Sequence, residues 1–99
     1  MAAVAETAVA PLRVGIIGVG RIGRMHAELL ERQVPGAAVG AVYDAADELA
    51  RDVGQALSVP VAADVDELLG RDDVDAVAIC SSTDTHADLL VAAAAAGKA

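Results

Sequence analysis

Three short segments of the chain are almost continuously apolar: residues 12–17 (LRVGII), 38–43 (AVGAVY) and 75–80 (DAVAIC). Runs of this length and evenness predict strands buried on both faces of a parallel sheet. Residues 60–62 predict a further, very short strand. Between these runs the apolar positions take up helical spacing. Over residues 21–32, Ile22, Met25, Leu29 and Leu30 fall on one face, with Arg24, Glu28, Glu31 and Arg32 mostly opposite, and Pro35-Gly36 closes the helix. Over residues 47–57, Leu49, Val53, Ala56 and Leu57 form a second stripe. Asp64 followed by Glu67 has the form of an N-cap with its capping-box partner, opening a short helix through Leu69 that Gly70 stops. The last helix opens within residues 83–85 (Thr83, Asp84 and Thr85, all plausible caps) and runs through Leu89 and Leu90 to Gly97. Strands alternating with helices in this order predict an α/β domain, a doubly wound parallel sheet with helices on both faces. It spans residues 12–99, behind a flexible tail at residues 1–11.

Composition narrows the function. The chain has 99 residues, 56% hydrophobic and 22% charged, which suits one small domain. The net charge is −8, and the seven Lys and Arg are scattered, so a nucleic-acid partner is excluded. The lone cysteine, Cys80, leaves no internal disulfide framework and no cysteine-rich zinc site; no metal ligands are assigned. No apolar run is long enough to span a membrane. The N-terminus has no basic residue before its apolar stretch, so it reads as a frayed tail rather than a signal peptide. A cytoplasmic setting is expected. With Tyr43 the sole aromatic residue, the core must be built from Val, Ile, Leu and Ala.

The chemistry-bearing motif is Gly18-Val19-Gly20-Arg21-Ile22-Gly23. G-x-G-x-x-G alone is weak, but here a strand leads into it and a helix leads out. Gly18 permits the tight turn, Gly20 lets the backbone approach a pyrophosphate, and Gly23 lets helix and strand pack closely. The helix N-terminus offers free N–H groups and a positive dipole end to phosphates. Asp44 ends the second strand about twenty residues past the last glycine, where an acidic side chain bonds the ribose hydroxyls of NAD and repels the 2′-phosphate of NADP. Ala45 offers that phosphate nothing, so NAD is expected over NADP. Asp44 could equally serve as an N-cap for the following helix. Arg21 could lie over the pyrophosphate or be a solvated first-turn residue. Arg24 is expected on the outer face, and His26 is assigned no ligand role. Gly23-Arg24-Met25 lacks the Gly-Lys-Ser/Thr of a P-loop, which excludes ATP or GTP hydrolysis.

The strand at residues 75–80 should lie beside the first strand, on the side away from the second, so that their C-terminal ends form the ligand crevice. Ser81, Ser82, Thr83, Asp84, Thr85 and His86 stand at its second lip. With these residues the stretches LRVGIIGVGRIGRMHAELL, VPGAAVGAVYD and VDELLGRDDVDAVAICSSTDTHADLLVAAAAAGK resemble the N-terminal Rossmann-type domain of the Gfo/Idh/MocA oxidoreductases. That family includes the inositol 2-dehydrogenases. Its usual Pro one residue before Asp84 is here Thr83.

The resemblance implies a two-domain NAD(P)-dependent enzyme oxidising or reducing a sugar, polyol or cyclitol. Its cofactor contacts would fall on Gly18, Gly20, Arg21, Ile22, Gly23, Asp44, Ser81, Ser82, Thr83 and His86. The family's Glu-Lys-Pro lysine does not occur here. Lys98 matches the helix-end lysine and reads as a cation on a helix dipole. No catalytic residue is therefore assigned. The sheet is expected to be incomplete, with the substrate domain and any homo-oligomer contacts elsewhere and no turnover from these residues alone. The alternative is a non-enzymatic NAD(P)-binding or redox-sensing module.

Overall fold

The computed structural model describes residues 11–99, so the tail proposed for residues 1–11 lies, but for Pro11, outside the described residues. The elements run β1 (Leu12–Ile17), α1 (Arg21–Arg32), β2 (Ala37–Tyr43), α2 (Asp47–Leu57), α3 (Val65–Leu69), β3 (Ala76–Ile79), a 3-10 turn (Thr83–Thr85) and α4 (His86–Ala95). The three strands are parallel, in the order β2-β1-β3. The chain therefore crosses from one side of β1 to the other between β2 and β3, the topology the alternating pattern predicts. The segment at residues 60–62 contributes a single parallel bridge, Val42 to Val61, along the outer edge of β2.

β1 and β2 bury residues on both faces, while the four residues of the edge strand β3 are half-buried. Val14 and Ile16 of β1 join Val39, Val42, Ala27 of α1 and Ala50, Val53 and Leu57 of α2 in one apolar layer. Ile17 and Ala41 join Leu68 and Leu69 of α3 and Ala93 of α4 in the other. The helices thus cover the sheet in pairs, α1 and α2 on one face and α3 and α4 on the other. Pairing of β1 with β2 slips by one residue after Val14, leaving Gly40 as an extra residue in β2. This bulge resets the alternation, so Val39 and Ala41 point to opposite faces.

Two helices are rotated from their expected orientation. In α1 the residues against the sheet are Gly23 and Ala27, with Leu30 packed beside them, while Ile22, Met25 and Leu29 are exposed. In α2 the buried face is Ala50, Val53, Gly54 and Leu57, and Leu49 is exposed. The smallest side chains win because they permit the closest helix-to-sheet contact, which excludes more water than a wider gap lined by larger residues.

The helix ends follow their capping chemistry. Asp64 Oδ1 accepts from the Glu67 N–H at 2.7 Å, and Glu67 Oε2 accepts from the Ala63 N–H at 3.2 Å. Helix α4 stops at Ala95 rather than Gly97. Gly97 has φ 75°, and the Lys98 N–H returns to the Ala93 carbonyl at 3.0 Å, a Schellman close. The expected hydroxyl cap of α4 is absent: Thr85 occupies the N-cap position without a side-chain bond to the helix.

Candidate functional site

The end of β1 turns sharply at Gly18, whose φ is 94°. Its N–H donates to the Tyr43 carbonyl at the end of β2 at 2.8 Å. On the other side, a Cβ on Gly18 would fall 2.5 Å from the Ser81 nitrogen, so the turn is pressed against the chain leaving β3. A Cβ on Gly23 would collide with the Gly18 carbonyl oxygen, which fixes α1 close against the loop. Gly20 differs from both: among the described residues, nothing beyond its chain neighbours lies within 4 Å of the place its Cβ would take. No internal contact accounts for a glycine there, whereas a ligand approaching the backbone does.

Gly20 also occupies the N-cap of α1 without a side-chain bond, and no acidic residue stands in the first turn. The amides of that turn take no side-chain acceptor, and no residue of the turn itself offsets the positive end of the helix dipole. Helix α3 shows the contrast, since Asp64 closes its first turn. Arg21 and Ile22 are exposed beside the loop, and Arg24 pairs with Glu28 at 3.1 Å on the outer face, as expected.

Asp44 does not cap α2; Ala46 holds that position without a side-chain bond. The Asp44 carboxylate instead joins two backbone segments. Oδ2 accepts from the Val19 N–H at 2.8 Å and Oδ1 from the Ala46 N–H at 2.7 Å. A cavity of about 360 Å³ opens between the strand ends, lined by Gly18, Tyr43, Asp44, Ser81, Ser82 and Thr85 among others.

At the second lip the hydroxyls tie the turn together. Ser81 Oγ lies 2.7 Å from Thr85 Oγ1, which donates to the Ser82 carbonyl at 2.7 Å. His86 Nε2 lies 2.8 Å from the Ser81 carbonyl, an acceptor only, so Nε2 carries the proton. The His86 ring lines a different cavity, of about 420 Å³, between β3 and α4 with Val77, Ile79, Leu90 and Lys98. The structure therefore gathers Gly18, Asp44, Ser81 and Ser82 around one crevice, with Gly20, Arg21, Ile22 and Gly23 on the loop and first turn beside it. His86 is tied to the same lip through the Ser81 carbonyl but lines the cavity between β3 and α4. The side chain of Thr83 lies outside the described atoms. Sequence reasoning did not select Thr85 or the Val19 N–H. Thr85 was placed at the second lip without a contact assigned to it, and a backbone amide carries no residue-type signal.

Cys80 is half-buried beside Gly23, and burial pushes its thiol pKa up, so it is held as a thiol rather than a nucleophilic thiolate. A bidentate ion pair stands at the opposite end of the strands. Arg13 meets Asp75 with Nε–Oδ2 3.1 Å and Nη2–Oδ1 3.0 Å, and the Arg13 N–H adds a bond at 2.9 Å. The Arg13 side chain and then its backbone N–H hold the Asp75 pKa down to about 2. Lys98 Nζ donates nearby to the carbonyls of Arg71 at 2.8 Å and Val74 at 2.6 Å. These groups join strand starts, away from the crevice. Among the described residues, no three His, Cys, Asp or Glu side chains are placed to hold a metal, and no helix is long and apolar enough to cross a membrane.

Known proteins resemble this chain in sequence and fold. The myo-inositol 2-dehydrogenase of Thermotoga maritima is 42% identical over 88 residues, covering 88% of this chain and 26% of the relative. Inositol 2-dehydrogenase 3 of Saccharopolyspora erythraea is 46% identical over 91 residues, covering 89% of this chain and 26% of the relative. Among solved structures, the myo-inositol dehydrogenase of Lactobacillus casei in complex with NAD(H) and myo-inositol superposes with a TM-score of 0.84 at 32% identity, over 89% of this chain and 26% of that one. The chain thus spans about a quarter of the length of the relatives it matches. Residues 12–99 match the oxidoreductase family with the NAD-binding Rossmann fold, and by that match the chain belongs to the Gfo/Idh/MocA oxidoreductases.

Proposed function

We propose that residues 12–99 hold NAD in the crevice between β1, β2 and β3, and that the whole protein moves a hydride between NAD and a CH–OH group of a sugar, polyol or cyclitol. The observation that carries this reading is Gly20, a glycine with open space around it at the uncapped start of α1. The pyrophosphate takes the amides of that turn, with Arg21 over it and Gly23 keeping the helix close. Asp44 accepts from the adenosine ribose hydroxyls. Its carboxylate repels a 2′-phosphate, and Ala45 supplies no compensating cation, so NAD is preferred to NADP. Ile22, Ser81, Ser82 and Thr83 border the path toward the nicotinamide ribose. His86 is the least suited of the proposed contacts, since its Nε2 is already engaged by the Ser81 carbonyl and the residue lines the cavity between β3 and α4.

In the reaction, the substrate carbon gives its hydride to the nicotinamide as its hydroxyl becomes a carbonyl, and the hydroxyl proton passes to a base. The chain's part is to bind and orient the cofactor; the base and the substrate contacts come from a second domain outside these residues, as do any contacts of a homo-oligomer. The cytoplasm, where both forms of the cofactor circulate, is the setting that fits.

The test is titration with NADH, followed by the fluorescence of the reduced nicotinamide. Saturable binding that is weaker for NADPH and weaker still after Gly20→Ala is expected. No saturable binding, or tighter binding of NADPH, would overturn the reading. On the whole protein, NAD reduction with a panel of polyols, inositols and aldoses then identifies the substrate class.

A further inference from the structure

The geometry points to a second task for Asp44: it positions the glycine loop itself, in addition to meeting the ribose. This rests on reading the loop as the NAD site. Gly18 has no Cβ and a positive φ, so sterics alone do not choose the orientation of the peptide plane that follows it. Two contacts do. The Gly18 carbonyl is set against Gly23, at the point where a Cβ on Gly23 would strike it. At the other end of the same peptide, the Val19 N–H donates to Asp44 Oδ2 at 2.8 Å, across 25 residues of sequence. Were this peptide to flip, its carbonyl oxygen would face the carboxylate, acceptor against acceptor, and the amides presented to the pyrophosphate would change.

Val19 is only 2% exposed, so water is a poor substitute partner for its N–H. The bond of Asp44 Oδ1 to the Ala46 N–H, at 2.7 Å, holds the carboxylate at the angle that Val19 needs. An ionised carboxylate offers roughly four acceptor sites, so these two bonds leave room for the ribose hydroxyls. Asp44 can brace the loop and receive the ligand at once.

The test separates a brace from a ribose contact by the sign of an effect. Inorganic pyrophosphate carries no ribose. If Asp44 served the ribose alone, Asp44→Ala would remove a negative charge near the loop and leave pyrophosphate binding unchanged or tighter. As a brace, its loss weakens pyrophosphate binding. In the ligand-free protein the Val19 amide should also exchange roughly tenfold faster or more in Asp44→Ala, the factor that a hydrogen bond of about 1.4 kcal/mol confers. The Ile16 amide in β1 serves as the reference for an intact fold, and Asp44→Asn, which keeps one acceptor, gives an intermediate rate. An unchanged Val19 exchange rate in Asp44→Ala would overturn the brace, as would unchanged or tighter pyrophosphate binding. If the wild type binds neither NADH nor pyrophosphate, the NAD reading fails instead, and the Val19 exchange rate alone decides the brace.

Discussion

A Cβ on Gly23 would collide with the carbonyl oxygen of Gly18, whereas one on Gly20, three residues earlier, would meet no described residue but its chain neighbours within 4 Å. Two glycines of one motif therefore answer to different constraints, one internal and one external. Gly23→Ala is expected to cost about 3 kcal/mol or more, because the atom in the way is rigid backbone. Gly20→Ala, at φ −64°, should change stability by less than about 1 kcal/mol and yet weaken NADH binding. Urea midpoints and NADH titrations of the two variants check both halves. A strongly destabilised Gly20→Ala would show that the protein rather than a ligand requires the glycine.

Acid should weaken the fold through Asp75. Its folded pKa of about 2 lies below the ordinary carboxylate value, because the Arg13 side chain and then the Arg13 backbone N–H favour the ionised form. A depressed pKa stabilises the fold above the unfolded value and loses that contribution as pH falls through the folded one, here between about 4 and about 2. Asp73, lowered chiefly by the hydrogen bond from Arg71, acts in the same direction. Urea midpoints should fall across this window, and Asp75→Asn should start lower at neutral pH and fall less steeply. An equal slope in the variant would remove Asp75 as a source of the acid response.

The capping box of α3 makes a local prediction. Asp64→Ala removes the acceptor of the Glu67 N–H and should cost about 1 kcal/mol. Because α3 has only five residues, the loss should appear as faster amide exchange at Leu68 and Leu69, with α1 unchanged. Uniformly faster exchange in both helices would mean that α3 opens only with the whole domain.

The strands were legible because burial on both faces leaves few polar interruptions between Val14 and Ile17 or Val39 and Tyr43, and the glycine loop was legible because its neighbours fixed its context. The faces of α1 and α2 were not. A periodicity reading weighs Ile22, Met25 and Leu29 above Gly23 and Ala27, yet close packing on a sheet rewards the small residues. Asp44 could be placed at the strand end, but its bonds to Val19 and Ala46 depend on where the β1 turn passes in space. His86 shows the same limit. Its place in the sequence puts it at the crevice lip, but only the structure shows that its Nε2 is taken up by the Ser81 carbonyl while the residue also lines the cavity between β3 and α4.

Lys98 matched the family's helix-end lysine, and its ammonium reaches the carbonyls of Arg71 and Val74 on the turn that leads into β3 rather than those of its own helix. It acts as a clamp between the end of α4 and the start of β3, reinforced where the Ala99 carbonyl accepts from the Val77 N–H at 2.9 Å. Lys98→Met keeps most of the apolar stem and removes both donors, so a loss of about 1–3 kcal/mol is expected, the range for bonds from a charged group. Because the clamp stands at the starts of the strands and the glycine loop at their ends, NADH affinity should be unchanged under conditions where the variant is folded. Urea unfolding and NADH titration measured on the same preparation check this. Lost affinity with undiminished stability would move Lys98 from the scaffold to the site.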